Sequence, residues 1–159
     1  MTGGREQSLC NDSVMVIDRS GTWWTGDSAA DLDDYLREFT ADGYPVERVV
    51  HARCERCQGT VFLVGLDEEE GAAERCCTGC DTVVALLDSA DHLADADVED
   101  AACPCGGEEF NVAVGFAFHD DGDVRWVYLG LRCAADGVLG CYADWKIDYS
   151  PSADLVNRV

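Results

Sequence analysis

Two cysteine pairs constrain this chain more than any other feature: Cys54-Glu55-Arg56-Cys57 and Cys77-Thr78-Gly79-Cys80, nineteen residues apart. A Cys-x2-Cys pair turns both thiolates of one tight bend toward a single ion, and two such bends complete a tetrahedron with sulfur–metal distances of about 2.3 Å. The separation lies in the range of structural zinc sites. Ten cysteines in 159 residues fit the same idea, because small cores that bury little apolar surface lean on metals or disulfides. Met1 to Gln7 holds no apolar h-region, so the expectation is a cytoplasmic protein in a reducing compartment, where such cysteines ligate metal rather than oxidise. No apolar run approaches the roughly eighteen residues that a membrane helix needs.

Charge narrows the partners. Thirty-two acidic residues face eleven basic ones, giving a formal charge of −21 and one lysine, Lys146. Nucleic-acid binding requires Lys and Arg to displace the counterions condensed on phosphates, so direct binding to nucleic acid is not expected. What remains is a solvated acidic surface or attraction to a basic protein partner.

In chain order, Val14 to Ile17 and Trp23 to Thr25 flank a polar turn and predict a hairpin. Ser28 with Asp31 resembles a capping box, and Leu32, Tyr35, Leu36 and Phe39 follow at helical spacing, which predicts a helix over 28–40. Asp42-Gly43-Tyr44-Pro45 ends it, and Val46 to Ala52 reads as a strand entering the first cysteine turn. Trp23 and Trp24 are expected to pack over the helix.

Thr60 to Leu66 is apolar and β-branched, Asp67 to Gly71 makes a turn, and Thr82 to Leu87 reads as a strand after the second cysteine pair. Cys54-x2-Cys57-Gln58-Gly59 together with Cys77-x2-Cys80 resembles the knuckle pair of zinc-ribbon and rubredoxin-like proteins, over about thirty-five residues. The resemblance implies a few-stranded antiparallel sheet and a four-cysteine site, and no particular activity. Gln58 and Asp81 stand where those knuckles usually carry glycine. Cys76 offers an alternative register to Cys77, and the x2 spacing favours Cys77.

Residues 91–102 read as an acidic linker. Cys103-Pro104-Cys105 is an abbreviated knuckle, and Phe110 to Phe118 alternates with the period of a half-buried strand. Asp120 to Asp123 signals a turn, after which Val124 to Arg132 returns and delivers Cys133 beside Cys103 and Cys105. Two residues compete for the fourth ligand. Cys133-Ala134-Ala135-Asp136-Gly137 has the form of a Cys-x2-Cys-Gly turn with aspartate in the second place, while Cys141 offers the commoner thiolate and is preferred on that ground. His119 falls at the far turn, and Cys10 has no spacing partner.

The expected fold is α+β, mostly β: two zinc-ribbon-like antiparallel hairpin modules with a small N-terminal hairpin-helix-strand unit. The expected divisions are 1–50, 51–90, the linker 91–102, and 103–159. Two zinc ions are expected, one on Cys54, Cys57, Cys77 and Cys80, the other on Cys103, Cys105, Cys133 and Cys141. Arg53, Arg56, Arg75 and Arg132 adjoin these cysteines and are expected to donate to the thiolates. No Walker loop, dinucleotide glycine motif or nucleophile elbow is present, and all-thiolate sites keep no open position. A zinc-stabilised acidic binding or adaptor protein without catalytic activity is therefore expected. The alternatives are an acidic inhibitor or immunity-type protein that mimics polyanion, and a rubredoxin-like electron carrier.

Overall fold

A computed structural model of the chain describes residues 17–40 and 42–159. Cys10 and most of the first expected strand, Val14 to Val16, lie outside them. The architecture among the described residues is mostly antiparallel β with one α-helix.

Helix α1, Asp31–Phe39, is shorter than the expected 28–40. Asp31 begins it and its Oδ2 accepts the Ser28 N–H at 3.2 Å, so half of the capping box forms. Asp31, Asp33 and Asp34 place negative charge where the helix dipole is positive. At the other end the Thr40 hydroxyl donates to the Leu36 carbonyl at 2.8 Å and accepts the Val46 N–H at 3.0 Å, which turns the chain out of the helix. Leu32 and Leu36 are fully buried, each contributing about 1.5–3 kcal/mol of burial. Phe39, expected on the buried face, is exposed but stacks on Tyr35. Trp24 packs edge-on against Tyr35 at 5.8 Å, whereas Trp23 is 54% exposed rather than packed. Of the expected N-terminal hairpin, the described residues show the bridge Asp18 to Thr25.

Among the described residues eight strands build one sheet: β1 Arg48–His51, β2 Phe62–Asp67, β3 Ala72–Cys77, β4 Val83–Ala85, β5 Glu99–Asp100, β6 Phe110–Phe118, β7 Val124–Cys133 and β8 Leu139–Lys146. The order is β4-β3-β2-β6-β7-β8, with β1 pairing to β6 and β5 to β2. The stretch expected as a linker thus contributes a short strand and two single 3-10 turns.

The register reveals a repeat. β1, a cysteine turn and β2 form one interrupted strand; β5, a cysteine turn and β6 form another, running antiparallel to it. They meet at the Phe62–Phe110 pair, with β1 against β6 on one side and β2 against β5 on the other. Each then folds back as a hairpin and adds an outer strand, β3 and β4 in the first half and β7 and β8 in the second. One continuous row, Cys77–Phe62–Phe110–Cys133, crosses both halves.

Strand alternation divides the two faces. Phe62, Val64, Phe110, Val112, Val114, Phe116, Leu129 and Leu131 point into the main core, closed by Leu86, Leu87 and Leu155. The opposite face of β6–β8 carries Ala113, Gly115 and Gly130, and the helix lies on it. A Cβ on Gly115 would sit 2.7 Å from Val46 Cγ2, and one on Gly130 would sit 3.0 Å from Leu36 Cδ1. Small residues here let the helix and its exit loop approach the sheet.

Two carboxylates tie distant turns. Asp67 accepts the Asp97 N–H at 2.8 Å and the Glu69 and Glu70 N–H groups, and Asp123 accepts the Ser152 N–H at 2.9 Å. These bonds, led by Asp97 and Ser152 respectively, hold both groups below the usual carboxylate range. A depressed folded pKa stabilises above the unfolded value and is lost as pH falls through the folded one. The denaturation midpoint of the wild type should therefore drop more steeply below about pH 4 than that of an Asp67→Asn/Asp123→Asn variant. Gly115→Ala should cost about 1–3 kcal/mol by overpacking, read by chemical denaturation at neutral pH.

Candidate metal centres

Strand β2 is preceded, and β3 followed, by a five-residue turn of one design. In the first, the Gln58 N–H donates to the Cys54 carbonyl at 2.8 Å and the Cys54 N–H to Gly59 at 2.8 Å; in the second, Asp81 donates to Cys77 at 2.8 Å and Cys77 to Thr82 at 2.9 Å. The fifth residue of each is left-handed, with φ of 67° at Gln58 and 63° at Asp81. That explains why glycine is usual there and shows that this chain uses amide and carboxylate side chains instead.

The same turn recurs after β7. Gly137 donates to Cys133 at 2.8 Å, Cys133 donates to Val138 at 2.9 Å, and Gly137 has φ of 81°. Asp136 therefore holds the position that Cys80 holds in the first half. The turn before β6 is one residue shorter: Gly106 donates to Cys103 and Cys103 to Gly107, both at 2.8 Å, and Gly106 is left-handed at φ 93°.

These turns gather two sets of ligand atoms, each with all members within 4.8 Å of one another: Cys54, Cys57, Cys77 and Cys80, and Cys103, Cys105, Cys133 and Asp136. Sulfur–sulfur separations are 3.5 Å for Cys54 to Cys80, 3.4 Å for Cys57 to Cys77 and 3.7 Å for Cys105 to Cys133. A tetrahedron with metal–sulfur bonds of about 2.3 Å has edges of about 3.8 Å. Asp136 Oδ1 lies 3.6 Å from Cys103 Sγ. Both sets are thus compatible with a metal ion. Cys77 and Cys133 terminate the cross-sheet row and lie three strand spacings apart, about 14 Å.

Cys141 is not among them. It sits opposite Gly130 in β8, three residues along β7 from Cys133, or about 10 Å, with its thiol toward the Ala143 carbonyl at 3.5 Å. β8 resumes the ladder at Leu139 opposite Arg132, which carries Cys141 away, so Asp136 rather than the expected Cys141 lies with the three thiols. The Asp136-Gly137 signature is the sequence signal for the carboxylate that the fold places beside the three thiols. Cys76 pairs across to Leu63 and Val83, and strand alternation turns it to the face opposite Cys77. His119 accepts from Arg125 Nε at 3.2 Å beside the β6–β7 turn, far from both sets.

Among the described residues no arginine bonds the sulfurs. Arg75 donates from Nη2 to the Val159 carbonyl at 2.9 Å and lies over the Phe62 ring at 4.8 Å. Arg132 donates to the Gly26 carbonyl at 2.8 Å and to Asn111 Oδ1 at 3.0 Å. The groups that donate to sulfur among the described residues include the Gly79 N–H to Cys77 Sγ at 3.4 Å, the Gly107 N–H to Cys105 Sγ at 3.3 Å and the Thr82 hydroxyl, 3.1 Å from Cys80 Sγ.

Thiol acidity differs between the sets. The Thr82 hydroxyl, 3.1 Å from Cys80 Sγ, brings Cys80 down to about 6, and the Gly79 N–H lowers Cys77. Cys57 rises to about 12 because it shares its proton with Cys77. In the second set burial pushes Cys103 up to about 12 and raises Cys133, while the Val138 N–H lowers Asp136. A cation reverses these retained protons by supplying the charge that four adjacent anionic ligands lack.

The chain matches no known family model, no curated protein and no solved structure. No described helix is long and apolar enough to cross a membrane.

Metal content per chain tests the ligand assignment. Cys77→Ser and Cys103→Ser should each lose one ion, and Cys141→Ser should keep both. Elemental analysis of the purified variants measures this directly.

Proposed function

We propose that the two ligand sets hold zinc, that each half of the sheet is a zinc-ribbon-like module, and that the chain is a non-catalytic binding protein for a basic protein partner. In the second set zinc is supported by the ligands: it accepts thiolate and carboxylate in tetrahedral sites, whereas a rubredoxin-type iron site uses four cysteines, the complement of the first set. The metals act as clamps, and ligation of this kind contributes on the order of 10 kcal/mol per site to folding.

The observation that carries the binding role is the unequal covering of two equivalent halves. In the second half, residues of the N-terminal segment line the sheet: Leu139 donates to the Trp24 carbonyl at 2.8 Å, Thr25 bridges to Val138, and α1 lies over Gly115 and Gly130. The matching face of β2–β4 bears the row Leu63–Cys76–Val83, with Leu63 42% and Val83 56% exposed. Glu74 and Asp81 stand close enough to Cys76 to raise its thiol, after burial. An apolar row with an acidic rim, on a chain of charge −21, suits a basic partner, since opposite charge speeds encounter and apolar contact holds the complex.

Two results decide this reading. Elemental analysis should give two zinc and no iron in a colourless preparation; a coloured, iron-containing protein overturns the zinc assignment. At low ionic strength the full chain should retain basic proteins that a Leu63→Glu/Val83→Glu variant of unchanged metal content does not. Retention that is equal in the two proteins, or absent from both, removes the binding face.

A further inference from the structure

We propose that the fourth ligand position of the second metal site is exchangeable, Asp136 giving way to an exogenous thiolate, while the four-cysteine site stays closed. The inference rests on the reading that both sets hold a zinc-type ion.

Three observations carry it. The repeat places Asp136 where Cys80 stands in the other half, so one otherwise equivalent site has a hard oxygen in place of sulfur. An ion already held by three thiolates is softened and favours a fourth sulfur over a carboxylate. Access differs in the same direction. In the first set only Cys57 is exposed, whereas in the second both Cys105 and Asp136 are. Finally, Asp136 has somewhere to go: its Oδ1 already accepts the Val138 N–H at 3.1 Å, a bond that survives release from the ion. Cys80 instead is half-buried, with the Thr82 hydroxyl at 3.1 Å from its sulfur.

The exchange balances simply. The metal–oxygen bond to Asp136 breaks, a metal–sulfur bond forms, the entering thiol gives its proton to buffer, and no electron changes hands. The entering sulfur has two sources of one chemistry, a small thiol or a cysteine on a protein partner.

Cobalt(II) loaded into the full chain reports the ligand set through its visible bands. Titration with 2-mercaptoethanol should change the bands of one ion of two, saturably and reversibly. Asp136→Cys should abolish the response while keeping both ions. Asp136→Ala should respond at thiol concentrations lower by on the order of 10–100-fold, the scale on which weakened ligand shells change affinity. A cysteine-containing basic peptide that saturates at lower concentration than 2-mercaptoethanol assigns the thiol to a partner; equal or weaker binding assigns it to a small molecule. A wild-type spectrum unmoved by thiol, a response undiminished in Asp136→Cys, or loss of both ions to the thiol overturns the exchange with two-metal binding intact. A chain that takes up only one ion overturns the two-metal reading itself, and the exchange with it.

Discussion

Everything in this fold hangs on how a strand can be interrupted without leaving its backbone unpaired. A cysteine turn breaks the ladder between β1 and β2 and again between β5 and β6. In each case the cysteine amide and carbonyl are re-satisfied inside the turn, so the chain rejoins the sheet in register. The cost is a left-handed residue in every turn, at Gln58, Asp81, Gly106 and Gly137. For a non-glycine residue that conformation is disfavoured, and ligand geometry is what the turn obtains in return: the sulfur of one turn brought within about 3.4–3.7 Å of a sulfur of another.

The two halves share this framework and differ in what has been added to it. The second half has the longer hairpin and the helix; the first half has β4 of three residues and an outer face on which Val98 packs over Gly65 while Leu63 and Val83 stay exposed. The ligand sets diverge likewise, sulfur only in one and sulfur with a carboxylate in the other. Repetition of a backbone plan therefore coexists with different surfaces and different sets of donor atoms.

How much of this was legible in the sequence depends on which physics decides each feature. Local geometry decides the Cys-x2-Cys turns, the Phe110 to Phe118 alternation and the existence of the helix, and each can be read from spacing. Long-range pairing decides the rest. Nothing local tells Glu99 and Asp100 to pair with Gly65 and Leu66, so an acidic stretch looked like a linker. Nothing local tells β8 to resume opposite Arg132, so chemistry alone ranks Cys141 above Asp136. The arginines beside cysteines were misleading for the same reason: their carbonyl partners, at Gly26 and Val159, are distant in sequence.

The order in which the chain visits the row Cys77–Phe62–Phe110–Cys133 bears on how it is made. The first hairpin, both of its cysteine turns and β4 are complete by Ala85, so on a ribosome this half has all four of its clustered cysteines before the second half emerges. β1 is the exception, since its ladder partner in the sheet is β6. Its amides stay unpaired until Phe116 has been synthesised, and for that interval the nascent half carries an open sheet edge.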